Sequence, residues 1–206
     1  MNQPLEADTT ARRAILDRLN TRTISAPPLP DVDPSQVITY DDPVQEFLDK
    51  LSLVGGEATF VDAAPQAEEV LRQIPVFREA KRVVSVFPEA VPGTMSTDGI
   101  DDPHAFATID WMIARGEFMV AENGAIWIDG NTLPHRVLLF IAQYLAIIVS
   151  QSQIVSNMHQ AYDRIENYDG RYGVFVSGPS KTADIEQSLV LGAHGCRKLQ
   201  VIIVRD

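Results

Sequence analysis

Tyr172–Val190 reads YGVFVSGPSKTADIEQSLV, and the order of elements across it determines what kind of domain the chain can build. A short apolar run, Val174–Val176, leads into Ser177-Gly178-Pro179-Ser180 and then into Thr182-Ala183-Asp184-Ile185-Glu186-Gln187. Gly178 can take backbone angles closed to other residues, while Pro179 fixes its own φ and removes a donor. Ser180 or Thr182 can cap a helix, and Glu186 four residues after Thr182 approximates a capping box. The pattern therefore predicts a strand, a tight turn and a helix over 182–191. Free N–H groups at such a helix start, next to two hydroxyls and Lys181, suit an anion. The plainer reading is a well-made strand-to-helix junction, and Asp184 and Glu186 favour it, because first-turn carboxylates repel a phosphate.

Upstream, the chain alternates helical and strand patterns. Ala11–Leu19 puts Ile15, Leu16 and Leu19 on one helical face. Pro27, Pro28, Pro30 and Pro34 then exclude a regular element. Residues 1–40 read as an arm, whose helix docks on its own domain or on a partner, and 41–206 as the domain proper. Asp42-Pro43 opens a helix that Gly55-Gly56 ends. A strand at 58–61, a helix at 64–74 and a strand at 81–87 come next. This rhythm predicts an α/β domain with a mostly parallel sheet. Pro88–Phe106 is a long loop without apolar period. Strands are expected at 107–113, 117–122, 125–129, 136–142 and 144–149, a helix at 153–165, and a last strand at 199–204. Asn123-Gly124 is the strongest two-residue hairpin signal in the chain.

The chain has 206 residues with a formal charge of −11, which argues against nucleic acid as the main partner. A single cysteine leaves no disulfide framework and no cysteine-based cluster within one chain. Met1–Thr10 is polar with no apolar stretch behind it, and the run Val137–Val149 is too short to span a bilayer, so the expected location is cytoplasmic. A homo-oligomer is left open.

Gly178–Glu186 together with Leu189-Val190-Leu191-Gly192-Ala193-His194-Gly195 resembles the closing signature of the LUD family, in its lactate-utilisation protein C type. Ala121-Glu122-Asn123-Gly124-Ala125 resembles that family's Ala-Glu-Thr-Gly-Thr segment, and Leu133–Val137 its Leu-Pro-x-x-His-type segment. The resemblance covers residues 45–206. Asn123 and Ala125 depart from the family's hydroxyl residues, and Cys196 stands where proline is common. The resemblance implies a three-layer fold similar to the sugar-phosphate isomerase and coenzyme-A transferase group. It also implies a cytoplasmic system oxidising L-lactate to pyruvate, with iron–sulfur clusters in partner subunits and no cofactor on this chain.

The candidate site residues come from both readings. Gly178, Ser180, Lys181 and Thr182 are expected to bind a small anion or a partner. His135 and His194 sit at element ends, where α/β folds keep ligands. Glu122, at a strand end, and Glu186 are the candidate acid/base groups. No two histidines have metal-ligand spacing, so no metal site is expected. Ser180 lacks a G-x-S-x-G elbow, and no G-x-G-x-x-G or Walker-type loop occurs. Cys196 reads as a packing cysteine, and Asp110, in an apolar run, needs a partner if buried. Three functions stay open: an accessory subunit of an L-lactate-oxidising complex, a stand-alone enzyme on a carboxylate, phosphosugar or thioester, and a non-catalytic scaffold for the iron–sulfur subunits.

Overall fold

The longest apolar runs form neighbouring strands, because a run buried on both faces needs partners on both edges and a cover on each side. The computed structural model describes residues 9–21, 33–170, 172–183, 189–191 and 195–206. Two units are distinguished, Met1–Gln36 and Val37–Asp206. The first contains α1 (Thr9–Asn20), whose last turn is closed by the Thr21 hydroxyl donating to the Asp17 carbonyl at 3.0 Å.

The second unit runs α2 (Pro43–Leu53), β1 (Glu57–Val61), α3 (Gln66–Gln73), α4 (Pro75–Arg78), β2 (Val83–Ser85), β3 (Trp111–Arg115), β4 (Phe118–Val120) and β5 (Ala125–Asp129). It continues with α5 (Leu138–Ile141), β6 (Tyr144–Ser150), β7 (Ile154–Val155), α6 (Met158–Arg164), β8 (Gly173–Val176), β9 (Lys181–Ala183), β10 (Leu189–Leu191) and β11 (Lys198–Val204). Five strands pair in the order β1-β11-β6-β3-β2, all parallel. A second sheet, β7-β4-β5-β8, is mixed: β5 is antiparallel to β4 and β8, and β7 is parallel to β4.

Alternation of side chains along each strand sorts the core. Met112, Ala114, Leu145, Ile147, Val149, Leu199, Val201 and Ile203 face inward with Met119, Ile126 and Ile128 of the second sheet, joined by Phe47 and Leu51 of α2. The opposite parity, Trp111, Ile113, Ala146, Ile148 and Ile202, packs with Ala67 and Leu71 of α3. The far face of the second sheet, with Phe118, Val120 and Trp127, is covered by Ala161 of α6. The long loop after β2 also has a packing duty: the Thr94 hydroxyl accepts from Val83 N at 2.9 Å and donates to the Lys81 carbonyl at 2.8 Å, closing that edge of the sheet. Asp110 finds its partners in the backbone N–H groups of Lys81 and Arg82, at 2.8 and 2.9 Å.

Three sequence expectations are corrected. Residues 136–142 are not a strand, since Leu138–Ile141 is the short helix α5, which buries Leu138 and Leu139. The helix expected at 153–165 begins only at Met158, because Ile154 and Val155 pair with β4 and Asn157 supplies the N-cap of α6. Within 182–191, the described residues are strands: Ala183 pairs with Leu189, Thr182 with Val190 and Lys181 with Leu191, antiparallel. Threonine and valine, which pair at Thr182 and Val190, are β-branched and have high strand propensity. Residues 184–188 lie outside the described residues.

Candidate functional site

Two segments singled out in the sequence meet in the fold. The turn between β4 and β5 has four residues, Ala121–Gly124, and not the two expected at Asn123-Gly124: it closes with Val120 opposite Ala125, and the Asn123 side chain accepts from Ala125 N at 3.0 Å. The Ser177 hydroxyl donates to the Asn123 carbonyl at 2.8 Å, tying the turn after β8 to the β4–β5 turn. Both turns press against the end of α2. Gly124 has φ +66°, and a Cβ there would stand 2.7 Å from Leu51 N. Gly178 has φ +74°, and its Cβ would stand 2.5 Å from the Val54 carbonyl oxygen. Only glycine permits both the left-handed backbone and the close approach.

Beside this junction lies a cavity of about 260 Å³ between β8, α5 and the segment before β11. Gly178 and Ser180 line it, with Leu139, Phe140, Gly195 and Cys196. Ser180 N donates to the Cys196 carbonyl at 2.9 Å, which fixes the turn against the start of the last strand. The Ser180 hydroxyl has no hydrogen-bond partner among the described residues. Phe140 is 50% exposed at the rim, whereas Cys196 is 5% exposed. Burial pushes the Cys196 thiol above its ordinary range, so it is a neutral thiol here. The floor is apolar and the turn supplies the Ser180 hydroxyl, a composition that suits a small ligand with one polar end.

The other expected residues fall elsewhere. Lys181 is exposed at the first position of β9, so the described residues put a strand, and not a helix N-terminus, after the turn. Thr182 is paired in β9 opposite Val190. Glu186 and His194 lie outside the described residues. The His135 ring packs tilted against Phe106, 4.8 Å between ring centroids, in the segment leading to α5, and does not line the cavity. Glu122 has a structural partner: its Oε2 accepts from Met158 N at 2.8 Å, at the first turn of α6. Asn157 completes the cap by accepting from Gln160 N at 2.9 Å and donating to the Ile38 carbonyl at 2.7 Å. Among the described residues no three His, Cys, Asp or Glu side chains gather as a metal set. No helix among them is long and apolar enough to cross a membrane. Sequence reasoning missed Leu139 and Phe140, because it took their run for a strand.

Residues 81–204 match the family model of the LUD domain. Lactate utilization protein C of Deinococcus radiodurans is 28% identical over 211 residues, aligned across 97% of this chain and 94% of that protein. The proteins of the same name from Shouchella clausii and Geobacillus thermodenitrificans are 33% and 34% identical. Those alignments span 46% of this chain and less than half of the relatives, 43% and 42% of their lengths. A solved structure described as a DUF162 family protein from Deinococcus radiodurans superposes with a TM-score of 0.59 at 23% identity, across 79% of this chain and 96% of that one. At that identity the likeness is one of fold.

Proposed function

This chain belongs to the LUD domain family, and from that premise we propose that it serves lactate utilisation as an accessory subunit. In this reading it works beside iron–sulfur subunits that carry out the oxidation of L-lactate to pyruvate, and the cavity at Gly178 and Ser180 holds a small anion or a partner's side chain. The observation that carries the reading is the near full-length alignment to a protein named for lactate utilisation. The Ser177–Asn123 link supports a role for the junction, since it joins the two segments that resemble the family. The alternative of a stand-alone enzyme with Glu122 as acid/base is weakened by that carboxylate's bond to the start of α6.

The test is lactate-dependent dye reduction by reconstituted partner subunits, with and without this chain. Activity is expected to require the chain, and to fall at least tenfold with Ser180→Ala while assembly is retained; loss of one hydrogen bond to a charged ligand is of that order. Dye reduction at an unchanged rate without the chain overturns the reading. Unchanged activity of the Ser180→Ala complex removes the cavity from it and leaves a scaffold.

A further inference from the structure

A second concavity, of about 400 Å³, opens at the other functional position of a parallel sheet, the carboxyl ends of its strands. All five parallel strands reach it at or just past their ends: Ala64 after β1, Phe87 after β2, Arg115 of β3, Ser150 of β6 and Val204 of β11. Here the chain also passes from one sheet to the other. Gly116 N donates to the Ile148 carbonyl at 2.8 Å in the parallel sheet, and Glu117 N donates to the Trp127 carbonyl at 2.9 Å in the second. A Cβ on Gly116 would stand 2.7 Å from Ile126 and 3.0 Å from Ile147, so only glycine fits between the sheets. Arg115, the last residue of β3, and Glu117, at the bend before β4, flank it. Both line the cleft.

The polar groups of the cleft divide into engaged and free. The Ser150 hydroxyl donates to the Asp206 carboxylate, and the Gln153 side-chain oxygen Oε1 accepts from Arg164. Arg115 forms no ion pair among the described residues, and its guanidinium lies over the Phe87 ring, 5.5 Å from the centroid. The Glu117 side chain likewise has no partner among them. A guanidinium held on an aromatic face presents its fork to a carboxylate. A free carboxylate beside it accepts from a hydroxyl or ammonium and repels a second negative charge.

We propose that this cleft binds a small 2-hydroxycarboxylate, with its carboxylate on Arg115 and its hydroxyl on Glu117. The choice of a hydroxyl over an ammonium donor rests on the lactate-utilisation reading; the cleft itself does not. The probes are L-lactate, pyruvate, which lacks the donor, L-alanine, which replaces hydroxyl by ammonium, and inorganic phosphate. Each is titrated into the full chain by calorimetry and by amide chemical shifts. L-lactate is expected to shift the Gly116 and Ser150 amides, and its affinity to fall about tenfold or more with Arg115→Gln, the loss of one charge-assisted bond. Pyruvate is expected to bind about tenfold more weakly than lactate, and Glu117→Gln to close that gap and admit phosphate. Melting curves of the two variants establish that they fold.

L-alanine binding tighter than L-lactate overturns the hydroxycarboxylate assignment. Lactate shifts confined to Gly178 and Gly195, lost with Ser180→Ala and kept with Arg115→Gln, overturn the cleft while leaving the accessory-subunit reading intact. No binding of any probe overturns the cleft, whereas the accessory-subunit reading fails only if dye reduction does not need the chain.

Discussion

Replacing Glu122 separates a capping carboxylate from a catalytic one. Its Oε2 accepts from Met158 N at 2.8 Å, and the residue is half-buried beside the start of α6. Hydrogen bonds to a charged group contribute about 1.5–3 kcal/mol. Partial exposure places this one at the lower end, so Glu122→Ala should cost about 1.5 kcal/mol. With a urea slope of about 2 kcal/mol per M, the unfolding midpoint falls by about 0.7 M with no change in slope. The melting temperature of a chain this size falls by about 3–6 °C. Glu122→Gln keeps an acceptor oxygen and loses only the charge, so it should cost about 0.5 kcal/mol. Urea unfolding followed by circular dichroism measures both. In the reconstituted dye-reduction assay, the Gln variant should retain most activity. A general base would instead lose about a hundredfold or more on the same change, with its stability intact. An Ala variant within about 0.2 M of the wild-type midpoint, or a stable Gln variant that is inactive, refutes the capping role.

Two further outcomes test the packing around the junction. Gly124→Ala must adopt φ +66° and place a Cβ 2.7 Å from Leu51 N; left-handed strain and overpacking together should cost about 2–4 kcal/mol, and a melting temperature unchanged within a degree or so counts against the close approach. Cys196 should react slowly with iodoacetamide at neutral pH, because burial raises its thiol pKa. The folded state keeps that proton longer than the unfolded state, so the contribution to stability is whole below the unfolded pKa of about 8.5 and declines as pH rises above it. The urea midpoint should therefore drop less between about pH 8 and about pH 10 in Cys196→Ala than in the wild type; alkylation as fast as that of a free thiol refutes the burial argument.

Much of the sheet was legible because its strands are apolar runs bounded by turn residues. Ala125–Asp129 is a strand at the bounds expected after Asn123-Gly124, and Asp42 caps α2 by accepting from Gln45 N at 3.0 Å. Failure came where one signal fits two structures. Val137–Ala142 is a short apolar run, which periodicity cannot divide between strand and buried helix, and α5 is that helix. Around residue 157 the sequence does carry a helix start signal. Asn157 and Gln160 have capping spacing, and the Gln160 side chain reaches back to Ser156 N at 2.8 Å. At Ser180 and Thr182 the same kind of signal was overread, since hydroxyl residues ahead of acidic ones also occur in a strand turn. The candidate site was legible as two segments, but not as a cavity, because Leu139, Phe140 and Cys196 reach it only through tertiary packing.

The wording of the two family-like segments divides into residues explained by packing and residues that are not. Among the described residues Gly55, Gly124 and Gly178 all have positive φ, and they meet at one place, the end of α2, with Pro179 3.6 Å from where a Cβ on Gly55 would lie. Asn123 holds its own turn and accepts Ser177 through its carbonyl, while Glu122 caps α6. Glu122-Asn123-Gly124 and Ser177-Gly178-Pro179 are thus accounted for by the assembly of the junction, whether or not a ligand binds. Ser180 is different. Its amide is committed to Cys196, but the residue lines the cavity and its hydroxyl has no partner among the described residues, so packing gives no reason for a hydroxyl there. An unpaired hydroxyl over an apolar floor is the group a ligand's polar end would meet. For that reason Ser180→Ala, and not a change at any of the glycines, is the substitution that distinguishes a binding site from a well-packed corner.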